Sequence, residues 1–244
     1  MDDALVRAVE LRPPAAGETR TGYPWDLPVV RGLADGLALD PAVTYLIGEN
    51  GSGKSTVLEG LAVAAGMNPE GGSSNFTFST RESHSGLWEA IRLIRGARRP
   101  RTDFFLRAES LFTAATYVEE LGEPALTSYG GRSLHEQSHG EAFLAVMLNR
   151  FGPDGFYVLD EPEAALSAQN CLTFLRSVHE LVGQGSQFVI ATHSPIVLAY
   201  PGATILACTD DGLHKTAYDD AEPVRLTRGF LDSPQAFLRA LLED

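Results

Sequence analysis

The chain has 244 residues, 44% of them hydrophobic, and a formal net charge of −13. That apolar content supports the packed core of one large α/β domain or two small ones, and no apolar run approaches the roughly 18–20 residues of a membrane span. The acidic balance argues against broad nonspecific binding to DNA or anionic lipid.

Met1-Asp2-Asp3 opens the chain without an apolar h-region, so no signal peptide is expected. Residues 4–11 and 28–33 read as short strands flanking a connection rich in proline and glycine. Val43 to Ile47 is an apolar strand that runs into Gly48-Glu49-Asn50-Gly51-Ser52-Gly53-Lys54-Ser55, a complete G-x-x-x-x-G-K-[ST] loop. A helix follows to about Ala65. This strand–loop–helix context separates a phosphate-binding loop from a chance match. Its glycines let the backbone wrap around phosphate oxygens, and its N–H groups join the positive helix N-terminus in holding an anion. Lys54 would reach the β- and γ-phosphates, and the Ser55 hydroxyl would hold Mg²⁺. The chain has 17 arginines and only two lysines, Lys54 and Lys215, a bias that makes a lysine at this position look required rather than incidental.

Beyond a loop at 66–74, Asn75 to Ser79 reads as a strand. From about 85 to 121 the pattern turns helical: Leu87, Trp88, Ile91 and Ile94 share one face, as do Leu111, Ala115 and Val118. Asp103 to Leu106 is ambiguous between them. Arg92, Arg95, Arg98, Arg99 and Arg101 follow one another without an intervening acid. They read either as a solvated helix end and loop or as a docking patch for nucleic acid or an acidic partner. Residues 122–137 form another loop. Ser138-His139-Gly140-Glu141 has the pattern of a capping box and opens a helix that is apolar on all sides from Ala142 to Leu148, the mark of burial between layers. Phe156 to Asp160 is a buried strand ending in an acid, and a helix carrying Cys171, Phe174, Leu175 and Val178 stops at Gly183 and Gly185. Gln187 to Thr192 is a further strand, ending at His193. Cys171 and Cys208, in a predicted helix and strand, fit reduced core thiols of a cytoplasmic protein. Alternating strands and helices imply a largely parallel sheet with ligands at the strands' carboxyl ends.

Asp160 at a strand tip beside the loop supplies the oxygen that Mg²⁺·ATP needs besides Ser55. Glu161, one residue on, could orient or deprotonate an attacking water. No Cys/His spacing points to zinc.

With Walker A at 48–55, Ser138-x-Gly140-Glu141, a Walker B strand at 156–161 and then His193, the chain resembles the ATP-binding-cassette (ABC) ATPase family over most of its length. The forms Ser-x-Gly-Glu, Asp-Glu-Pro-Glu and Ala-Thr-His-Ser-Pro look more like its soluble RecF- and SMC-like branch than like transporter cassettes. The resemblance implies a single P-loop NTPase domain over 1–244, with a mostly parallel sheet flanked by helices and a helical lobe at about 82–137. It implies ATP and Mg²⁺, with Asn50, Gly51, Ser52, Gly53, Lys54, Ser55 and Thr56 on the nucleotide and Ser55 and Asp160 on the metal. Glu161 and His193 would be catalytic, the histidine at the γ-phosphate. Ser138 and Gly140 would meet nucleotide held by a second copy, in an ATP-dependent homodimer. An aromatic upstream of Walker A, Tyr23 or Trp25, would stack on adenine.

Two departures stand out. The family's glutamine between Walker A and the signature is missing, since no Gln occurs from Thr56 to Glu136. Its role is vacant or filled from near Ser79 to Glu82. Ser167 stands where transporter cassettes carry an aspartate. Three functions follow: an ATPase whose dimerisation drives or licenses an unknown protein or nucleic-acid partner in DNA maintenance or defence, the nucleotide-binding subunit of a transporter, or a P-loop small-molecule kinase. The missing Gln and the signature variant weigh against the second, and Asp160-Glu161 beside the signature against the third. No membrane insertion is expected.

Overall fold

In the computed structural model, residues 3–69, 71, 72, 85–107, 116, 119, 127 and 131–242 are described. β1 (Val6–Leu11) and β2 (Leu37–Ala38) flank a short helix, α1 (Pro28–Gly32). β3 (Val43–Ile47) leads into α2 (Lys54–Ala65). A single turn, α3 (Leu87–Ala90), precedes β4 (Ile91–Arg95) and β5 (Thr102–Arg107). Then come α4 (His139–Arg150), β6 (Gly155–Asp160), α5 (Ala168–Gly183) and β7 (Gln187–Ala191). β8 (Thr204–Thr209), β9 (Gly212–Thr216), α6 (Glu222–Asp232) and α7 (Pro234–Leu242) close the chain.

Among the described residues, the central sheet has six strands in the order β5-β6-β7-β3-β8-β9, parallel except for β9 against β8. Its strands are buried on both faces, so they read as apolar runs rather than as alternations. The faces are nonetheless distinct, because side chains alternate along a strand. Val43, Tyr45, Phe104, Tyr157, Leu159 and Phe188 pack on one side with Phe143 and Val146 of α4 and Phe174 and Val178 of α5. Leu46, Phe105, Phe156, Val158 and Val189 pack on the other with Val57, Leu58 and Leu61 of α2. The second face also receives a small antiparallel sheet, β2-β1-β4, through Leu5, Val6 and Val9. Buried Gln187 ties the two sheets together. Its carboxamide accepts from Val6 N at 2.9 Å and donates to the carbonyls of Val6 and Asp40 at 2.8 Å each.

Several sequence expectations change. Residues 28–33 are helical, not a strand: Pro28 suits a first helical position, where its missing N–H costs nothing, and Val29, Val30 and Leu33 are buried. The helix expected from about 85 lasts one turn. Ile91–Arg95 is β4, paired with β1, since the helical spacing of Leu87, Ile91 and Ile94 overlies a β-branched run that can complete the small sheet. The arginine run therefore starts on a strand and continues into a loop. Arg92 pairs with Glu10 at 2.5 Å and Arg98 with Asp154 at 2.7 Å. Asp103 to Leu106 resolves as β5, an edge strand of the main sheet. α4 is not covered on all sides, as Leu148 is 64% exposed. The strand expected at 75–79 and the helical positions Leu111, Ala115 and Val118 lie outside the described residues. Among the described residues, no helix is long and apolar enough to cross a membrane.

Candidate nucleotide site

The carboxyl ends of β6, β7 and β3 lie side by side in the sheet. The acid pair Asp160-Glu161 leaves the first, His193 the second and the glycine-rich loop the third. Loop and helix meet at Gly53, which has φ +93°. A Cβ there would sit 2.6 Å from Val29 Cγ1, so conformation and space both demand glycine. The loop is thereby held against α1.

Lys54 is almost fully buried, and its Nζ donates to the carbonyls of Gly48 at 2.7 Å and Glu49 at 2.9 Å. Burial pulls its pKa down, while nearby Cys208, Glu161 and Asp160 push it up. The Ser55 hydroxyl donates to Asp160 Oδ1 at 3.2 Å, so the two predicted metal-side oxygens converge across 105 residues of chain. Asp160 is 7% exposed. Burial raises its pKa, opposed by Arg107 and by the Ser55 hydrogen bond.

Tyr23, Leu27, Asn50, Gly51, Gly53, Lys54, Ser55, Thr56 and Glu161 line a cleft of ≈ 380 Å³ at this point. A larger cleft of ≈ 550 Å³ adjoins the same loop beside β8 and α6. It carries Glu49, Asp210, Asp220 and Glu222, whose charges repel phosphate, so the smaller cleft is the nucleotide candidate. Of the two aromatics weighed for adenine, Tyr23 lines this cleft, with its hydroxyl 3.1 Å from Thr56 Oγ1. Trp25 sits elsewhere, under the Arg20 guanidinium.

Glu161 has left-handed backbone angles, φ 51° and ψ 54°, which non-glycine residues adopt at a cost of order 1–3 kcal/mol and mostly at functional sites. The turn brings its carboxylate to His193, Oε1 to Nε2 being 3.5 Å. Glu163 accepts from the backbone N–H groups of His193, at 2.5 Å, and Ser194, at 3.1 Å, and so fixes the segment after β7 onto the one after β6.

Ser138 makes the capping box: its Oγ accepts from Glu141 N at 3.3 Å, and Glu141 Oε2 accepts from Ser138 N at 2.9 Å. Gly140 has a packing role as well, because a Cβ there would lie 2.9 Å from the Ala165 carbonyl oxygen. Ser138 is exposed, and neither it nor Gly140 is among the residues lining the loop's own cleft.

Sequence reasoning missed Arg107 and Glu59. Arg107 ends β5 and reaches Asp160 at 3.4 Å and Glu59 at 3.1 Å. The signal was an apolar run, Phe104-Phe105-Leu106, ending in a charge, the same form as the neighbouring Walker B strand. Ser79 to Glu82, the expected source of a substitute for the missing glutamine, lie outside the described residues.

A family model described as "AAA domain, putative AbiEii toxin, Type IV TA system" matches residues 43–106. No curated protein sequence matches significantly. Among solved structures, cbiO1 from Clostridium perfringens, part of the ABC transporter complex cbiONQ, is 16% identical over 95% of this chain and 97% of its own, with a TM-score of 0.48. The SMC head domain from Thermotoga maritima is 16% identical over 86% of this chain and 98% of its own, with a TM-score of 0.44. A post-hydrolysis dimer of the ATP-binding cassette MJ0796 with ADP and Pi is 17% identical over 75% of this chain and 88% of its own, with a TM-score of 0.45. The segment that the family model matches runs from β3 into β5 and carries the glycine-rich loop.

Proposed function

We propose that this protein binds Mg²⁺·ATP in the cleft at Lys54 and hydrolyses it. The observation that carries the proposal is the 3.2 Å contact of Ser55 Oγ with Asp160 Oδ1 beside the phosphate loop. Two hard oxygen donors are few for a metal, and among the described residues there is no cluster of three or more His, Cys, Asp or Glu that could hold one. That donor set fits Mg²⁺, which takes one or two protein oxygens and fills its shell with phosphate and water. Ser55 and Asp160 would hold it, and bound Mg²⁺ would supply charge neutralisation between the β- and γ-phosphates.

The other roles belong to the chain's own groups. Asn50 to Thr56 present backbone N–H groups to the phosphates. Lys54 exchanges its two carbonyl partners for the β- and γ-oxygens, its burial strengthening the attraction. Glu161 takes or orients the proton of the attacking water, and His193, 3.5 Å away, steadies that carboxylate and the γ-phosphate side. Tyr23, which lines the cleft, would meet the base. Ser138 and Gly140 open a capped helix outside this cleft, which supports a second role across a homodimer in which each copy closes the other's nucleotide. ATP-driven pairing would then drive or license a protein or nucleic-acid partner.

Replacing Glu161 with Gln tests the assignment of the base. Affinity for ATP, read by equilibrium titration, should stay within about threefold of wild type, and single-turnover hydrolysis should fall at least about 10²-fold. Near-normal turnover would move the catalytic role elsewhere.

A further inference from the structure

Arg107 stands at the end of β5, in register with Asp160 on the adjoining strand. Its Nε lies 3.4 Å from Asp160 Oδ2, while its Nη1 donates to Glu59 Oε2 at 3.1 Å. These acids come from different parts of the site. Glu59 is one helical turn beyond Ser55 on α2, and Asp160 ends the Walker B strand. The other oxygen of Asp160 faces Ser55. One carboxylate is thus divided between the metal-side hydroxyl and a guanidinium. Exposure of the three side chains is 23% for Arg107, 14% for Glu59 and 8% for Asp160, so water and salt screen their charges weakly.

We propose that Arg107 is a resident counter-cation of the metal site, holding the Asp160 carboxylate in place before Mg²⁺ arrives and setting how much Mg²⁺ the site requires. The proposal rests on the Mg²⁺·ATP site argued above. A carboxylate this buried is costly without a cation, and arginine carries its charge at every accessible pH. The same charge, a few ångströms from the position of a divalent ion, repels it. The fork of the guanidinium resolves the conflict, since Nη1 can keep Glu59 while Nε loosens from Asp160. Arg107 is therefore a positioning residue that acts through Asp160. An ion pair serving only to tie β5 to α2 would leave metal demand unaffected.

The test is binding of a fluorescent ATP analogue across a range of free Mg²⁺, together with thermal melts in Mg²⁺ without nucleotide. For Arg107→Ala the half-saturating Mg²⁺ should fall at least about fivefold, and for Arg107→Lys it should stay within about twofold of wild type. The alanine variant should melt below wild type in chelator and recover part of the difference in excess Mg²⁺. An unchanged or higher Mg²⁺ requirement in Arg107→Ala, or equal behaviour of the Ala and Lys variants, would overturn the proposal. If Arg107→Ala does not fold, Glu59→Gln serves instead. It removes the second negative charge beside the guanidinium and should raise the Mg²⁺ requirement at least about threefold; no change would overturn the proposal. Wild-type nucleotide binding that ignores Mg²⁺ altogether would overturn both this role and the metal site at Ser55 and Asp160, whereas normal wild-type dependence with an unaltered Arg107→Ala sinks Arg107 alone.

Discussion

At the scale of single residues, the site sets buried charge against loop geometry. Lys54 is held on carbonyls that point at it from its own loop, and Glu161 is turned by an unfavourable backbone conformation toward His193. The cysteines have no such chemistry. Cys171 and Cys208 are 3% and 5% exposed, and burial raises both thiols, Cys208 to about 11. A thiol nucleophile must ionise first. Native protein at pH 8 should therefore react with a thiol reagent at least about 10²-fold more slowly than free cysteine, with both thiols appearing on denaturation. Rapid labelling of either in native protein would contradict the packing around β8 and α5. The loop, Asp160, Glu161 and His193 were legible in the sequence because each is a charged or glycine-rich break at the end of an apolar strand. Arg107 carries the same kind of signal, but the reason to single it out comes from the lateral order of strands, which places β5 beside β6.

At the scale of elements, α4 opens on a capping box. The Ser138 cap satisfies a helix-end donor, so Ser138→Ala should cost about 1 kcal/mol in chemical denaturation with an unchanged m-value. No measurable loss would show that the cap is not formed. The core strands were legible because they are long apolar runs bounded by turns. β4 was not, since four or five residues cannot separate a helical from an alternating period, and pairing with β1 decided the matter. α1 was hidden for a similar reason: two buried valines after Pro28 look like a strand until Gly53 packs against Val29.

At the scale of the whole molecule, the parallel sheet sets three strand ends side by side, and α4 starts outside the cleft at the glycine-rich loop. That division predicts the behaviour of mixed variants. Ser138→Arg should bind ATP as a monomer yet fail to pair or hydrolyse, and Lys54→Ala should fail at binding. Mixed, they would form one composite site with an intact loop and an intact Ser138, so partial ATPase activity should return where each variant alone has none. Continued silence in the mixture would count against a shared site and leave Ser138 as a cap only. The most direct measurement of the central claim is an equilibrium titration of wild type and Lys54→Ala with ATP in Mg²⁺. The account predicts saturable wild-type binding that the variant loses. A variant that binds within about threefold of wild type, roughly 0.7 kcal/mol, would contradict the phosphate-loop site itself.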